Sequence, residues 1–170
     1  ERSRGLGDVY KRQLLIIGEV GPYCKSQGSL SNLNDVSQEF GIRFNADCVN
    51  DPSDNMPVRG CSRSKYPVIT NIKDHPVTEG VYEFFLGWGC SLNCEYPSFV
   101  LARGDYDTFA DENDNDYYDT GESKGESIIV LAGCEYGRGR VIAIGDTSLW
   151  SGKYEERLDE ELISYLNNKR

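Results

Sequence analysis

The stretch ESIIVLAGCEY (Glu126–Tyr136) followed by GRVIAIGD (Gly139–Asp146) decides the fold. Each half is an apolar run of strand length, rich in β-branched residues. Only Gly137 and Arg138 separate them, so the pair reads as a hairpin. Working outward, SFVLARG (Ser98–Gly104), EFFLGWGCSL (Glu83–Leu92) and PVITNI (Pro67–Ile72) read as further strands. IRFNADCV (Ile42–Val49) alternates as a half-buried strand does. LLIIGEVG (Leu14–Gly21) has the form of a buried parallel strand closed by glycine. Two helices complete the pattern. Ser29 to Phe40 carries Leu33, Val36 and Phe40 on one face and stops at Gly41, and Tyr154 to Asn168 sets Leu158 and Leu162 in one stripe. Strands mixed with helices predict an α/β domain, a mixed sheet flanked by helices.

Composition narrows the partners. The chain has 170 residues, 38% hydrophobic and 27% charged, which is ordinary for a globular domain with a core. Its net charge of −10 disfavours nucleic acid and anionic membrane surfaces, and no apolar run has the ~20 residues of a membrane span. The expected partner is a protein or a carbohydrate. Six cysteines without a CxxC pair favour an extracellular or cell-surface domain with disulfides over a zinc ribbon. The local pairings are Cys48–Cys61 and Cys90–Cys94, with Cys24 and Cys134 left over.

The first thirteen residues, ERSRGLGDVYKRQ, show no apolar periodicity and abut a strong strand. They resemble translated sequencing adapter, of the kind left at the ends of metagenomic fragments. The domain is therefore expected to run from Leu14 to Arg170, and the protein to extend upstream, which makes the domain N-terminally truncated.

Three stretches carry a family resemblance: LLIIGEVG with its following helix and FGIRFNADCV, VITNIKDHPVTEGV leading into FFLGWGCSL, and CEYGRGRVIAIGDTSLWS. Their order resembles the glutamine-amidotransferase-like domains of trehalose-utilisation, gliding-motility and intraflagellar-transport proteins and of uncharacterised surface proteins. The resemblance implies a flavodoxin-like fold. It implies little about function, because a fold hosts many activities.

The catalytic parts of that superfamily are missing. Amidotransfer needs a cysteine on a tight strand-to-helix elbow with a downstream histidine. Cys90 is the one candidate. Leu92 stands where the elbow needs glycine, Pro97 interrupts the helix that should follow, and the single histidine, His75, lies upstream. The expectation is a non-catalytic binding or interaction module. The alternative is a hydrolase or amidotransferase relative, acting on a small carbohydrate or amide, with part of its site upstream. Glu19, Asp146 and Ser148 follow strands and would line a ligand crevice there.

The sharpest chemical signal is an acidic insertion, residues 105–125. From Asp105 to Glu122 there are eight acids and no base. Within it DENDNDYYDTGE (Asp111–Glu122) matches a twelve-position calcium loop. Asp111, Asn113 and Asn115 take positions 1, 3 and 5. Tyr117 offers a carbonyl at 7, Asp119 stands at 9 and Glu122 at 12. Position 6, usually glycine, is Asp116, which must then adopt a positive φ. Calcium is the expected cofactor.

Overall fold

The computed structural model describes residues 13–18, 33–56, 65–137, 139–147, 158 and 162–164. Eleven strands are described: β1 (Gln13–Ile17), β2 (Ile42–Phe44), β3 (Cys48–Asn50), β4 (Val68–Ile69), β5 (Asn71–Ile72), β6 (Phe84–Phe85), β7 (Leu92–Cys94), β8 (Ser98–Arg103), β9 (Phe109–Asp111), β10 (Ile129–Tyr136) and β11 (Gly139–Ile144). The hairpin at the centre is β10–β11, in register from Tyr136 opposite Gly139 to Leu131 opposite Ile144. Gly137 makes its turn with φ 63°.

β10 is the spine of a seven-stranded sheet. On one side it pairs with β11, which carries β1 as its parallel neighbour. It has two further antiparallel partners. β7 meets it at Ile129 and leads on to β2, while β8 runs beside it to Cys134 and carries β5. The register slips on both sides of Leu131, so the sheet curls there. β4–β6 and β3–β9 form two small antiparallel ribbons.

The expected α/β, flavodoxin-like sheet flanked by helices is therefore corrected. The fold is mostly β, with a curled mixed sheet. Among the described strands every pairing except β1–β11 is antiparallel. The reason is in the connections. A parallel pair needs a crossover of a dozen residues or more, whereas β10 and β11 are joined by a tight turn; another tight turn links β7 to β8, which do not pair with each other. Ser98 N–H closes the second of these onto Glu95 O at 2.8 Å.

Alternation along β11 builds a core on each face. Ile142 and Ile144 join Val49, Leu86, Leu101, Val130 and Leu131 in one cluster. Val141 and Ala143 join Ile42, Phe44, Leu92 and Cys134 in the other. Leu158 and Leu162 of the C-terminal helical stretch lie in the first cluster, while Leu33 and Phe40 pack against the second. The N-terminal helical turns end at Gly41, whose φ of 73° suits glycine. Gly145 has a different reason to be glycine. Its N–H-side neighbour strand end lies against Cys90, whose N–H donates to Gly145 O at 2.8 Å, and a Cβ on Gly145 would stand 1.9 Å from Cys90 O.

β3–β9 positions the acidic insertion. Asn50 pairs with Phe109 and Cys48 with Asp111, so these four side chains share one face of the ribbon. Val49 and Ala110 turn into the first core cluster. The chain leaves at Asp111 and returns alongside, with Ala110 N–H on Ser123 O at 3.0 Å and Gly125 N–H on Thr108 O at 2.7 Å.

Candidate metal centre

Asp111 organises the loop that follows it. Its side chain is fully buried. Oδ1 accepts the backbone N–H groups of Asn113, Asp114 and Asn115 at 3.2, 2.6 and 3.2 Å. Oδ2 accepts Asp116 N–H at 2.9 Å and Asn50 Nδ2 at 3.0 Å. Five donors on one carboxylate fold the loop around it. Asp114 and Asp116 take φ of 62° and 66°, so position 6 has the left-handed backbone that the loop pattern demands.

The remaining expected ligands lie on the outer side. Asn113 and Asn115 each turn a side-chain amide to Asp119 Oδ2, at 2.6 and 2.8 Å. Positions 3, 5 and 9 thus converge on one point. Glu122 closes the loop, accepting Glu112 N–H at 3.1 Å on Oε1 and Asp119 N–H at 2.9 Å on Oε2. Tyr117 is largely exposed, and its N–H donates to Asn115 Oδ1 at 2.8 Å.

Sequence reasoning missed the inner side. The carboxylate oxygens of Asp111, Asp114 and Asp116 lie within 4.8 Å of one another. The Lys65 ammonium pairs with Asp114 and, at 3.1 Å, with Asp116. It also stands 4.5 Å above the centre of the Trp88 ring, a cation–π contact. Trp88 is fixed in turn by its Nε1–H on Tyr66 Oη at 2.8 Å. Burial pulls the Lys65 amine down, but the two aspartates outweigh it and hold the amine above the usual lysine range. Beneath them Asn50 is fully buried, and its Oδ1 accepts no hydrogen bond. No local pattern links Lys65 to a loop 49 residues away.

A second acidic group, Asp51, Asp105 and Asp107, also brings its oxygens within 4.8 Å. Asp51 accepts Ser53 and Asp54 N–H on Oδ1 and the Thr108 hydroxyl on Oδ2. Asp105 accepts Asp107 and Thr108 N–H. Burial pushes the Asp51 carboxyl up, against those donors. The Asp54 carboxyl is also raised, by lost hydration and by Asp105 and Asp107. Burial works to raise Asp105 too, but N–H and hydroxyl donors from Asp107 and Thr108 outweigh it and lower this carboxyl.

The other expected residues are dispersed. Asp146 is fully buried, and its Oδ2 accepts Gly87 N–H at 2.6 Å, bracing the chain before Trp88. Glu19, Ser148, Cys24 and Cys61 lie outside the described residues, as do residues 1–12. Cys48 and Cys90 are buried, and Cys94 is a thiol not joined to Cys90, raised by its partial burial. His75 sits in its turn, with Nδ1 accepting Val77 N–H at 3.2 Å and its ring against Phe99. A cleft of about 330 Å³ beside β5 and β8 is lined by Asn71, Lys73, Arg103 and Glu126 among others, and Asp146 is not among its lining residues.

No family model matches this chain, and no curated protein matches it. Among solved structures it is similar to the N-terminal domain of mmIFT52, an intraflagellar-transport protein, with a TM-score of 0.54 and 16% identity. The match covers 91% of this chain and 60% of that one. At that identity the likeness speaks to fold alone. The chain spans about three fifths of the length of that solved relative.

Proposed function

We propose that this chain is a non-catalytic binding or interaction module of an extracellular or surface protein, with calcium held by its acidic loop. Its kinship to amidotransferase-like domains rests on the sequence resemblance, and the intraflagellar-transport neighbour is compatible with it. One observation carries the calcium reading. Asn113, Asn115 and Asp119 converge within hydrogen-bond distance on one oxygen, at the spacing of positions 3, 5 and 9. Glu122, at the position that supplies a bidentate carboxylate, already folds back over them. A hard cation wants six to eight oxygens, and small rotations of these amides would present theirs.

Calorimetry on chelator-stripped protein tests the reading, with a melting curve in parallel. Calcium should bind and raise the melting temperature, and Asp119→Ala with Glu122→Ala should weaken both effects. An unchanged melting curve at millimolar calcium would overturn it.

A further inference from the structure

The inner side of the loop offers a second set of oxygens that the outer ligands do not use. We propose that Asn50 Oδ1 and the carboxylates of Asp111, Asp114 and Asp116 form an inner site, where a hard divalent cation exchanges with the Lys65 ammonium. The proposal extends the calcium reading to the same loop, but through different oxygens.

Asn50 is the observation that points to a missing ligand. It is fully buried, its Nδ2 meets Asp111 Oδ2 at 3.0 Å, and its Oδ1 has no donor. Buried carbonyls rarely go without partners. Turning the amide over would set Oδ1 against the Asp111 carboxylate, and two acceptors tolerate that only with a cation between them. The three aspartate oxygen groups lie within 4.8 Å of one another, a spread that one ion with metal–oxygen distances of about 2.3–2.6 Å can bridge.

Lys65 now supplies the positive charge, but incompletely. Its single charge pairs with Asp114 and Asp116 but not with Asp111, and Asn50 Oδ1 stays unsatisfied. Its four-carbon stem is flexible enough to withdraw. Trp88 lies 4.5 Å from the ammonium and would stand equally close to an ion in its place. The outer ligands neighbour Tyr117 and Tyr118 instead, with no tryptophan among these contacts.

Terbium, a hard oxygen-seeking ion, is the probe, because nearby aromatic rings sensitise its emission. With excitation confined to tryptophan, the intact chain should give terbium emission that Trp88→Phe removes. Lys65→Met should tighten that binding about tenfold, the usual order for two coupled occupants. Asp116→Asn, at an exposed side chain, should weaken it by a similar factor without disturbing the fold. Tryptophan-excited emission that is absent at saturating terbium, survives Trp88→Phe, or ignores both Lys65→Met and Asp116→Asn would overturn the proposal. Asp119→Asn with Glu122→Gln should spare the tryptophan-excited signal, and its loss in that double variant would also overturn the proposal. Calcium binding by calorimetry that ignores Asp119→Ala with Glu122→Ala, with the tryptophan-excited signal intact, would sink the outer ligand set and leave the inner site standing.

Discussion

Two groups of three carboxylates draw on the acidic insertion, yet the protein treats them differently. In the first group, Asp114 and Asp116 receive a buried ammonium from Lys65, while Asp111 is held by five N–H donors. Among the described residues no basic side chain pairs with Asp51, Asp105 and Asp107, which rely on backbone N–H groups and the Thr108 hydroxyl. The difference teaches what each group needs. N–H and hydroxyl donors suffice for the most buried carboxylate of each group, Asp111 and Asp51. The Lys65 ammonium serves Asp114 and Asp116 instead, whose side chains keep 18% and 39% exposure.

The comparison breaks most sharply at Asp111. Asp111→Ala strips the acceptor from five donors, four of them backbone amides of the loop. It should cost about 3 kcal/mol or more in urea unfolding, and the loop amides should lose hydrogen-exchange protection. Lys65→Met comes next. In metal-free buffer it leaves two aspartates unpaired. Asp116 is 39% exposed at its side chain, which shields part of the loss, so about 2 kcal/mol is expected.

The smallest effect falls on the unpaired group and has the opposite sign. Asp51 and Asp54 have raised carboxyls, so the folded state holds their protons more tightly than the unfolded chain. Their contribution to stability grows as pH falls through those raised values towards the ordinary ~3.9, and is lost as pH rises through them. Asp105, lowered, runs the other way. Asp54→Asn should therefore raise the melting temperature slightly at neutral pH and leave it unchanged in acid, where Asp54 is already protonated. A melting temperature that falls at neutral pH would show that Asp54 is paired after all.

What the sequence made legible follows range of interaction. The hairpin was readable because two apolar runs flank Gly137, and both runs are buried as expected. The helical stop at Gly41 and the positive φ at Asp116 were readable for the same reason, being local backbone requirements. Strand direction was not, because an apolar run looks alike in parallel and antiparallel sheets, and the inference went to α/β. β3 and β9 are three residues each, too short for a periodic signal, although they aim the whole acidic loop. The loop pattern named Asp111 but put Asp114 and Asp116 outside the ligand set. They turn inward to Lys65, a partner that no spacing rule could supply.

The neck of the acidic excursion has a further consequence. Residues 108–111 and 123–125 are hydrogen-bonded to each other, so the chain departs and returns at nearly the same place. A segment with its ends already joined adds little closure entropy to its host. It can be exchanged for another loop on the same ribbon, provided the replacement keeps acceptors for Lys65 and Asn50. The excursion thus has the form of a portable cassette, and recombination or protein engineering could exchange it while the curled sheet beneath stays the same.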